Sequence, residues 1–272
     1  MPSYLITGAS RGLGFEFLRQ LSNDSKNTVI GLVRDKKKAD DKVAKELNRP
    51  NVHIVEADIN NYDTLKTSAD EVSRILGGKL DYLIANAALM SQWSAFDPLG
   101  ALGGEPQKLS QDILDTFSTN VLGNIHLFNV YVPLLQRGDG KKVLTITSGA
   151  GDIELVNQIG YSGGAPYAIS KAAMNMVTAK YNAQYAPDGI LFFGISPGVV
   201  NTSEGNVEPT PEQLEGIAEM VQRFQIHEPN FNSFLTPEES VKTVLSIFDK
   251  ASLKDGYGGG FVSHLGKGEK WL

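Results

Sequence analysis

The 272-residue sequence predicts a doubly wound α/β fold with a mainly parallel sheet. Short apolar runs rich in β-forming residues alternate with longer amphipathic stretches along the chain, which is the pattern of repeated βαβ units. Most of these runs lack polar alternation, as expected of parallel strands that are buried on both faces. Because neither an internal repeat nor a linker-like change in composition interrupts the pattern, we expect one domain over residues 1–272.

The alternation predicts seven strands and six covering helices. The strands are expected at residues 4–7, 28–33, 52–56, 82–85, 143–147, 190–195 and near 261. The helices are expected at residues 12–21, 36–47, 62–76, 110–135, 166–185 and 237–250. Two irregular segments, 89–108 and 202–235, follow strand ends, and the second carries an extra helical pattern at 211–224. Open α/β sheets bind ligands at that edge, so both are predicted to be binding loops or lids.

Composition excludes several classes of function. The net charge of −6 offers no broad attraction to nucleic acid or to an anionic membrane. The absence of cysteine excludes disulfides, thiol nucleophiles and cysteine-based metal sites. No metal site is expected either, because the four histidines lack ligand spacing: His53, His126, His227 and His264. With no signal-like segment and no apolar run of membrane-spanning length, the cytoplasm is the expected location.

A glycine-rich turn follows the first predicted strand and leads directly into a helical pattern. Its sequence is Thr7-Gly8-Ala9-Ser10-Arg11-Gly12-Leu13-Gly14. Gly8 allows a tight turn, Gly12 lets the backbone approach a pyrophosphate, and Gly14 permits close helix packing. The free N–H groups at the helix N-terminus would bind the anion. The turn therefore predicts a cofactor phosphate, and an ordinary strand-to-helix connection is the alternative for the motif taken alone.

The residue about 20 positions beyond the turn indicates which dinucleotide is bound. Arg34 stands there, and a basic residue at this place accommodates a 2′-phosphate, whereas an acidic one binds the ribose hydroxyls of NAD. Arg11 supplies a second cation whose fork geometry suits phosphate. The pattern favours NADP(H). Asp35 could instead receive the ribose hydroxyls, which leaves NAD(H) open, and Arg34 could be a solvated surface charge.

A tyrosine and a lysine lie four residues apart on a predicted helix. Tyr167 and Lys171 therefore share one face and can act together. A free phenol has a pKa of about 10, and a neighbouring ammonium favours the phenolate, so Lys171 is expected to bring the pKa of Tyr167 toward working pH. The pair predicts a proton donor or acceptor. Alone, the same spacing could be a surface pair.

Together, the glycine turn and the YxxxK spacing resemble the classical short-chain dehydrogenase/reductase (SDR) family, and most closely its C-signal and sniffer-type carbonyl reductases. The resemblance covers most of the chain and implies a Rossmann-type sheet with strand order 3-2-1-4-5-6-7. It implies hydride transfer between NADP(H) and a carbonyl or alcohol, with Tyr167 giving or taking the proton. Lys171 would bind the nicotinamide ribose, Ser148 would hold the substrate oxygen, and Asn120 would support Lys171 through water.

The resemblance extends to further cofactor contacts. Asp58-Ile59 matches the adenine-binding position, and Asn86 lies in a segment similar to the Asn-Asn-Ala-Gly motif of the family. Residues 196–202 are similar to its Pro-Gly segment, which shapes the nicotinamide site. The full set of expected cofactor-binding residues is Gly8, Ser10, Arg11, Gly12, Leu13, Gly14, Arg34, Asp58, Ile59, Asn86, Lys171, Pro197, Gly198, Val200 and Thr202.

The stretch between Ser148 and Tyr167 is longer than the usual spacing of the family. Tyr161 lies nearer the customary distance, but Ala165 stands where its lysine would be needed, so Tyr161 is predicted to line the substrate pocket with Ser148 and Tyr167. The insertion at 152–164 is predicted to be a substrate-facing loop. Aromatic residues in the irregular segments favour a bulky or aromatic carbonyl substrate: Trp93, Phe96, Tyr161, Phe224, Phe231 and Phe234.

Two other classes of function stay open at this stage. One is a regulator that senses the dinucleotide, which the intact Ser148, Tyr167 and Lys171 disfavour. The other is a non-redox, isomerase-type enzyme on the same fold, because a fold does not determine a reaction. A homo-oligomer, either a dimer or a tetramer that pairs through the helices carrying Asn120 and Tyr167, is expected from the resemblance.

Overall fold

In the computed structural model, which describes residues 1–202, 210–269 and 271, seven parallel strands form one sheet. The strands are β1 (Ser3–Thr7), β2 (Thr28–Val33), β3 (Val52–Glu56), β4 (Tyr82–Ala85), β5 (Lys142–Ile146), β6 (Leu191–Ser196) and β7 (Phe261–Ser263). Their spatial order, β3-β2-β1-β4-β5-β6-β7, confirms the predicted Rossmann-type topology. The order reverses between β1 and β4, and this reversal opens a crevice at the carboxyl ends of the strands.

Ten α-helices occur in the described ranges, and they pack on both faces of the sheet. They are α1 (Gly12–Leu21), α2 (Lys36–Glu46), α3 (Tyr62–Leu76), α4 (Leu99–Leu102), α5 (Pro106–Phe117), α6 (Gly123–Arg137), α7 (Ile153–Ile159), α8 (Ala165–Tyr185), α9 (Pro211–His227) and α10 (Pro237–Lys250). On one face, α1 and α10 bury residues such as Phe17 and Val244. On the other, α3, α6 and α8 bury residues such as Val72, Leu127 and Met174. None of the helices that the structure describes is long and apolar enough to cross a membrane.

The helix predicted at 110–135 is divided in the structure. It begins earlier, at the start of α5, and a π-helical turn at Ser118–Leu122 separates α5 from α6. Asn120 lies in this turn and is 1% exposed. A π-turn inserts one extra residue into a helix and often occurs at functional sites. The periodicity of apolar residues did not reveal it, because both flanking helices keep a helical pattern.

The insertion at 152–164 is not simply a loop, and that prediction was wrong in this respect. It contains α7, whose N-terminus is capped by Asp152 accepting from the Leu155 N–H at 2.9 Å. Gly160 ends the helix in the left-handed conformation, with φ of 64°. The helix was missed because seven residues are too few to show a clear period.

The extra helix predicted at 211–224 is confirmed as α9 and runs three residues further. A capping box at its start, in which Thr210 and Gln213 bond each other's backbone N–H groups, determines where it begins. The helix has no fully buried residue. Residues 203–209 of the predicted lid lie outside the described residues.

Candidate active site

The glycine turn joins β1 to α1 and has the geometry of an anion site. Gly8 and Gly12 adopt positive φ values of 67° and 54°, which L side chains rarely adopt. The N-cap residue Arg11 makes no side-chain capping hydrogen bond, so its side chain does not occupy the first N–H groups of α1. A side chain at Gly14 would run into the Gly8 carbonyl and lie 2.7 Å from the Asn86 amide nitrogen. These features fit a bound phosphate group.

Asn86 connects this turn to the end of β4. Its side-chain amide donates to the Thr7 carbonyl at 3.0 Å, while the Thr7 hydroxyl accepts from the N–H groups of Asn86 and Ala87, both at 3.0 Å. The carboxyl ends of β1 and β4 are therefore held together at the point where the strand order reverses. Asn86, predicted as a cofactor contact, thus lies at the turn, where its amide group bonds the protein itself.

The end of β2 presents exposed positive charge. Arg34 and Arg11 are both exposed, and Arg34 makes no hydrogen bond or ion pair with the residues that the structure describes. Asp35, the next residue, is the N-cap of α2. Its carboxylate caps α2 by accepting from the Lys38 N–H at 3.0 Å. One oxygen of the acidic group that could receive ribose hydroxyls thus caps a helix, and the neighbouring Arg34 is exposed.

Asp58 and Ile59 shape the loop after β3. The Asp58 carboxylate accepts from the Asn60 N–H at 2.9 Å, which closes an Asx turn, and its own N–H donates to Thr64 at 3.1 Å. Ile59 is buried against Gly123, where an added Cβ would lie 2.8 Å from the Ile59 side chain. These contacts explain both residues as builders of the loop that borders the crevice.

Ser148, Tyr167 and Lys171 come together beyond β5. Ser148 begins a short 3-10 turn, Gly149–Gly151, and accepts from the Ala150 N–H at 3.2 Å. Tyr167 lies in the first turn of α8, close enough to the Ser148 hydroxyl for that group to lower its pKa. Lys171 follows one turn later, 3% exposed, with its ammonium nitrogen 5.4 Å from the centroid of the Tyr167 ring. The predicted catalytic group is therefore assembled at the carboxyl edge of the sheet.

The pKa of Tyr167 is shifted in the direction opposite to the expected one. Burial raises the pKa of Tyr167 to about 12, and the hydrogen bond from Ser148 opposes part of that rise. Burial also lowers the pKa of Lys171 to about 8. The expectation that Lys171 brings the tyrosine pKa toward neutrality is wrong for the chain on its own. The Lys171 ammonium donates to the Ile146 carbonyl at 2.9 Å, and burial of the Tyr167 phenol determines the direction of its shift.

Asn120 is connected to Tyr167 through hydrogen bonds to Ser170, which the sequence did not indicate. Its side-chain amide donates to the Leu89 carbonyl at 2.8 Å and to the Ser170 hydroxyl at 2.9 Å, and its oxygen accepts from the Leu89 N–H at 2.6 Å. Ser170 in turn donates to the Tyr167 carbonyl at 2.7 Å. Asn120 therefore links the segment after β4 to the first turn of α8. Among the residues that the structure describes, the Asn120 side chain makes no direct hydrogen bond to Lys171.

The Pro-Gly segment after β6 lies next to the glycine turn. Gly198 has φ of 84°, and a Cβ there would lie 3.0 Å from the His264 ring. Val200 pairs with Leu235 in an isolated bridge, which ties the segment to the far end of the lid. Thr202 reaches the turn itself, since a Cβ at Gly12 would lie 3.4 Å from the Thr202 side chain. The predicted phosphate and nicotinamide elements therefore border one crevice.

Several supporting residues had no sequence signal. Ser196 accepts from the Gly149 N–H at 3.1 Å, and Ser240 donates to the Pro197 carbonyl at 2.7 Å. His264 is buried behind Gly198, and burial lowers its pKa. Serine and histidine are common at surfaces, and these roles depend on contacts between residues distant in sequence. Only their position beside a motif residue, as for Ser196 before Pro197, could have drawn attention to them.

Aromatic side chains of the insertion at 152–164, of α9 and of the segment that follows α9 form a row. Tyr161 packs edge-to-face on Phe224 with centroids 6.3 Å apart, Phe224 packs on Phe231 at 5.5 Å, and Phe231 contacts Phe234 at 6.2 Å. Burial and the nearby Glu219 raise the pKa of Tyr161 to about 12. Tyr161 therefore belongs to this row, whereas Tyr167 is the tyrosine that meets Ser148.

Two other predicted aromatic residues lie in the segment before α5. Phe96 packs against Gly216 of α9, and Trp93 is covered by the Lys108 ammonium at 4.6 Å from its ring centroid. Within the described ranges, no group of three or more His, Asp or Glu side chains could hold a metal ion.

Comparisons with known proteins agree with this geometry. The family model described as short chain dehydrogenase matches residues 3–212. The chain is 50% identical to the short chain dehydrogenase virK of Hypocrea virens over all of both proteins, and 46% identical to the short-chain dehydrogenase/reductase AacuF of Aspergillus aculeatus, again over all of both. Among solved structures it resembles the NADPH-bound carbonyl reductase from chicken fatty liver, with a TM-score of 0.75 and 26% identity over 100% of this chain and 99% of that one. It shares its fold with the carbonyl reductase Sniffer of D. melanogaster, with a TM-score of 0.73 and 24% identity over 97% of each chain. The chain therefore belongs to the short-chain dehydrogenase/reductase family of oxidoreductases.

Proposed function

We propose that this protein is an NADP(H)-dependent oxidoreductase that reduces a ketone or aldehyde, or runs the reverse reaction, with Tyr167 as the general acid or base. The observation that carries the proposal is the clustering of Ser148, Tyr167 and Lys171 at the carboxyl end of β5, with the Lys171 ammonium nitrogen 5.4 Å from the centroid of the Tyr167 ring. This edge of the sheet also carries the glycine turn, so proton chemistry and an anion site share one crevice.

The residues that would hold the dinucleotide follow from this crevice. The pyrophosphate would lie against the turn between Gly8 and Gly14, at the N-terminus of α1. Segment 197–202, which resembles the nicotinamide-shaping segment of the family, would border the same cofactor, since Thr202 lies against Gly12. The exposed Arg11 and Arg34 support NADP(H) over NAD(H). The similar chicken carbonyl reductase is described as NADPH-bound.

The side chains would act on the substrate oxygen. Bound between the Ser148 and Tyr167 hydroxyls, a carbonyl oxygen accepts a hydrogen bond from each, which polarises the carbon. The nicotinamide supplies the hydride that this carbon accepts. Tyr167 then transfers its proton to the oxygen, and a pKa of about 12 keeps the phenol protonated at neutral pH, as reduction requires. A protonated Lys171 stabilises the phenolate that remains until solvent restores the proton.

The aromatic row supports a bulky or aromatic carbonyl as the substrate. Tyr161, Phe224, Phe231 and Phe234 form a continuous apolar surface on α9 and its neighbouring segments. Pockets that bind large ligands are lined mainly by such side chains, with few polar groups to orient the ligand. The two hydroxyls of Ser148 and Tyr167 would provide this orientation.

The test is an assay with a matched pair of tyrosine variants. Purified protein is mixed with NADPH and a panel of aldehydes, ketones and quinones while nicotinamide absorbance is followed. Tyr167→Phe should lower turnover about 10²- to 10⁴-fold while the Kd for NADPH stays within about twofold, because only the proton donor is lost. Tyr161→Phe should retain most of the turnover. Activity retained by Tyr167→Phe would overturn the assignment.

The panel also separates the alternative functions. NADPH binding without oxidation by any carbonyl would favour a regulator or a non-redox enzyme of the same fold. We further propose that residues 1–272 form one domain and that the protein pairs with itself. Exposed apolar side chains on α5 and α8 support self-association: Leu114, Phe117, Ile169 and Met176. Sedimentation velocity tests this, and a monomer at micromolar concentration would contradict it.

A further inference from the structure

The turn that carries Ser148 packs closely against two neighbours through its glycines. It runs from Ser148 to Gly151, and we call it the Ser148 turn. A Cβ at Gly151 would lie 2.7 Å from the backbone nitrogen of Ala172, so the turn lies directly on the backbone of α8. A Cβ at Gly149 would lie 3.4 Å from the Trp271 side chain. Neither glycine has a positive φ, so both serve close packing rather than an unusual backbone conformation.

Trp271 reaches the Ser148 turn from the segment that follows β7. Its indole stacks on the ring of Phe261 in β7, with ring centroids 4.4 Å apart and an interplanar angle of 24°. The Leu155 side chain of α7 also packs at the turn, since a Cβ at Gly149 would lie 3.2 Å from it. Aromatic pairs of this kind contribute more than their buried area alone. The indole therefore connects the turn beside Ser148 to the last strand of the sheet.

A cavity of about 200 Å³ borders Trp271. Residues of α7, of β7 and of the segment after β7 line it, among them Leu155, Phe261 and Trp271. A small side chain in place of the indole would join the space of the ring to this cavity. The Ser148 turn would then lose an apolar neighbour with nothing to replace it, and lost packing contacts of this kind let the surrounding structure relax.

We infer that Trp271 is a positioning residue for Ser148, which holds the Ser148 turn against α8 so that the hydroxyl stays in reach of the substrate oxygen. The inference rests on the proposed function. Trp271 acts through Gly149, the residue next to Ser148, rather than on the substrate itself. Reacting groups must be held within about 0.5 Å of the productive geometry, and a displacement of about 1 Å can lower the rate about 10²-fold. Packing at the residue beside Ser148 therefore affects turnover.

The test is a double-mutant cycle between the two residues. kcat, KM and the Kd for NADPH are measured for the native protein, Ser148→Ala, Trp271→Ala and the double variant. Ser148→Ala should lower kcat about 10²-fold, because one donor to the substrate oxygen is lost. Trp271→Ala should lower kcat about tenfold while the Kd for NADPH stays within about twofold. With Ser148 already replaced, Trp271→Ala should lower kcat less than about twofold, because the group that it positions is gone.

Further variants separate positioning from stability. Trp271→Phe should recover most of the native kcat, because a smaller ring can still stack on Phe261. Tyr257→Ala is the control for lost aromatic packing near β7, since Tyr257 packs edge-to-face on Phe193 with centroids 5.8 Å apart. It should lower the midpoint of thermal unfolding and leave kcat within about twofold. If Trp271→Ala does not fold, Trp271→Leu fills part of the space and carries the same cycle.

Each remaining outcome has a definite meaning. An unchanged kcat in Trp271→Ala would overturn the inference. An equal loss of kcat with and without Ser148 would overturn it too, and would make Trp271 a general support of the fold. Native turnover in Ser148→Ala, or a native protein that reduces no carbonyl, would refute the proposed function on which the inference rests.

Discussion

The glycine turn and helix α9 each contain a glycine that leaves no room for a side chain, yet the two contacts differ in kind. At Gly14 an added Cβ would meet the Gly8 carbonyl, which is backbone in a tight turn. At Gly216 it would meet the ring and Cβ of Phe96, a side chain on a neighbouring segment. Backbone at a strand end has almost no freedom to move, whereas a side chain and a surface helix can shift. The glycine turn, on the proposed cofactor side, is therefore rigid, whereas α9, on the proposed substrate side, can adjust.

Helices α1 and α9 also differ in how deeply their side chains are buried. Helix α1 buries Phe15, Phe17, Leu18 and Leu21 against the sheet, so the turn that precedes it is anchored in the core. Helix α9 has no fully buried residue, and side-chain contacts such as Gln213 with Gln92 and His227 with Gln158, both at 3.1 Å, attach it to its neighbours. Segments with few buried apolar contacts open locally at low free-energy cost. We therefore expect α9 to adapt to the substrate while the cofactor turn keeps its shape.

The largest effect is expected from Gly14→Ala. The methyl group cannot coexist with the Gly8 carbonyl, so the turn must distort or α1 must shift, at a cost of about 3 kcal/mol in unfolding free energy. NADPH affinity should fall at least about tenfold, since the phosphate-binding backbone moves with the turn. Denaturant unfolding and nucleotide titration measure both. Gly100→Ala, where no atom lies within 4 Å of the new Cβ, is the control and should change neither.

Lys171→Met tests how much stability the folded protein loses by burying the Lys171 ammonium on the cofactor side. The folded-state pKa of about 8 lies below the ordinary value of 10.5, so the folded protein loses about 3 kcal/mol of stability at any pH below 8. Methionine removes that loss but leaves the Ile146 carbonyl without its hydrogen-bond donor. The free energy of unfolding should therefore increase by about 2 kcal/mol at pH 7.

The sign of the pH dependence follows from the same values. Between pH 8 and 10.5 the unfolded chain holds more protons on Lys171 than the folded one does, so native stability rises with pH across this window. The advantage of Lys171→Met should shrink over the same range, while its turnover is lost at every pH. Lys180→Met, exposed on the same helix, is the matched control. An advantage that does not change with pH would mean that Lys171 is not a buried cation.

The cofactor side was also the side that the sequence could predict. Strand order, the glycine turn and the meeting of Ser148 with Tyr167 follow from motifs whose spacing carries their geometry. Helix α7 is too short to show a period, and its packing against α9 is a contact that no short window of sequence contains. The direction of the Tyr167 pKa was missed because it depends on the depth of burial, and periodicity does not measure depth.

Gly216→Ala should have a smaller effect, on specificity rather than on stability. The new methyl group overlaps Phe96, so the ring or α9 must move, but alanine also favours the helix by up to about 1 kcal/mol, and the net change in stability should stay below that value. We expect kcat/KM to fall about tenfold for a bulky aromatic ketone and less than about threefold for a small aldehyde, because only the large substrate reaches the displaced wall.

A double variant makes this result diagnostic. Adding Phe96→Ala to Gly216→Ala removes the overlap, so the two changes should couple instead of adding in a double-mutant cycle with the bulky substrate. Additive losses would show that the Phe96 contact does not transmit the effect of Gly216. Equal losses for large and small substrates would contradict the idea that α9 forms an adjustable wall.

The smallest effect is expected from Tyr161→Phe, which asks whether the two tyrosines belong to different regions. The Tyr161 hydroxyl lies close to Gly163, and the ring packs on Phe224, so the variant keeps the aromatic row and removes one polar atom. KM for a bulky carbonyl should change by about threefold or less, kcat should be nearly unchanged, and the pH profile should keep its shape. A change in the profile would place Tyr161 in the proton transfer, and the contrast between a cofactor side that performs the chemistry and a substrate side that only selects would then be wrong.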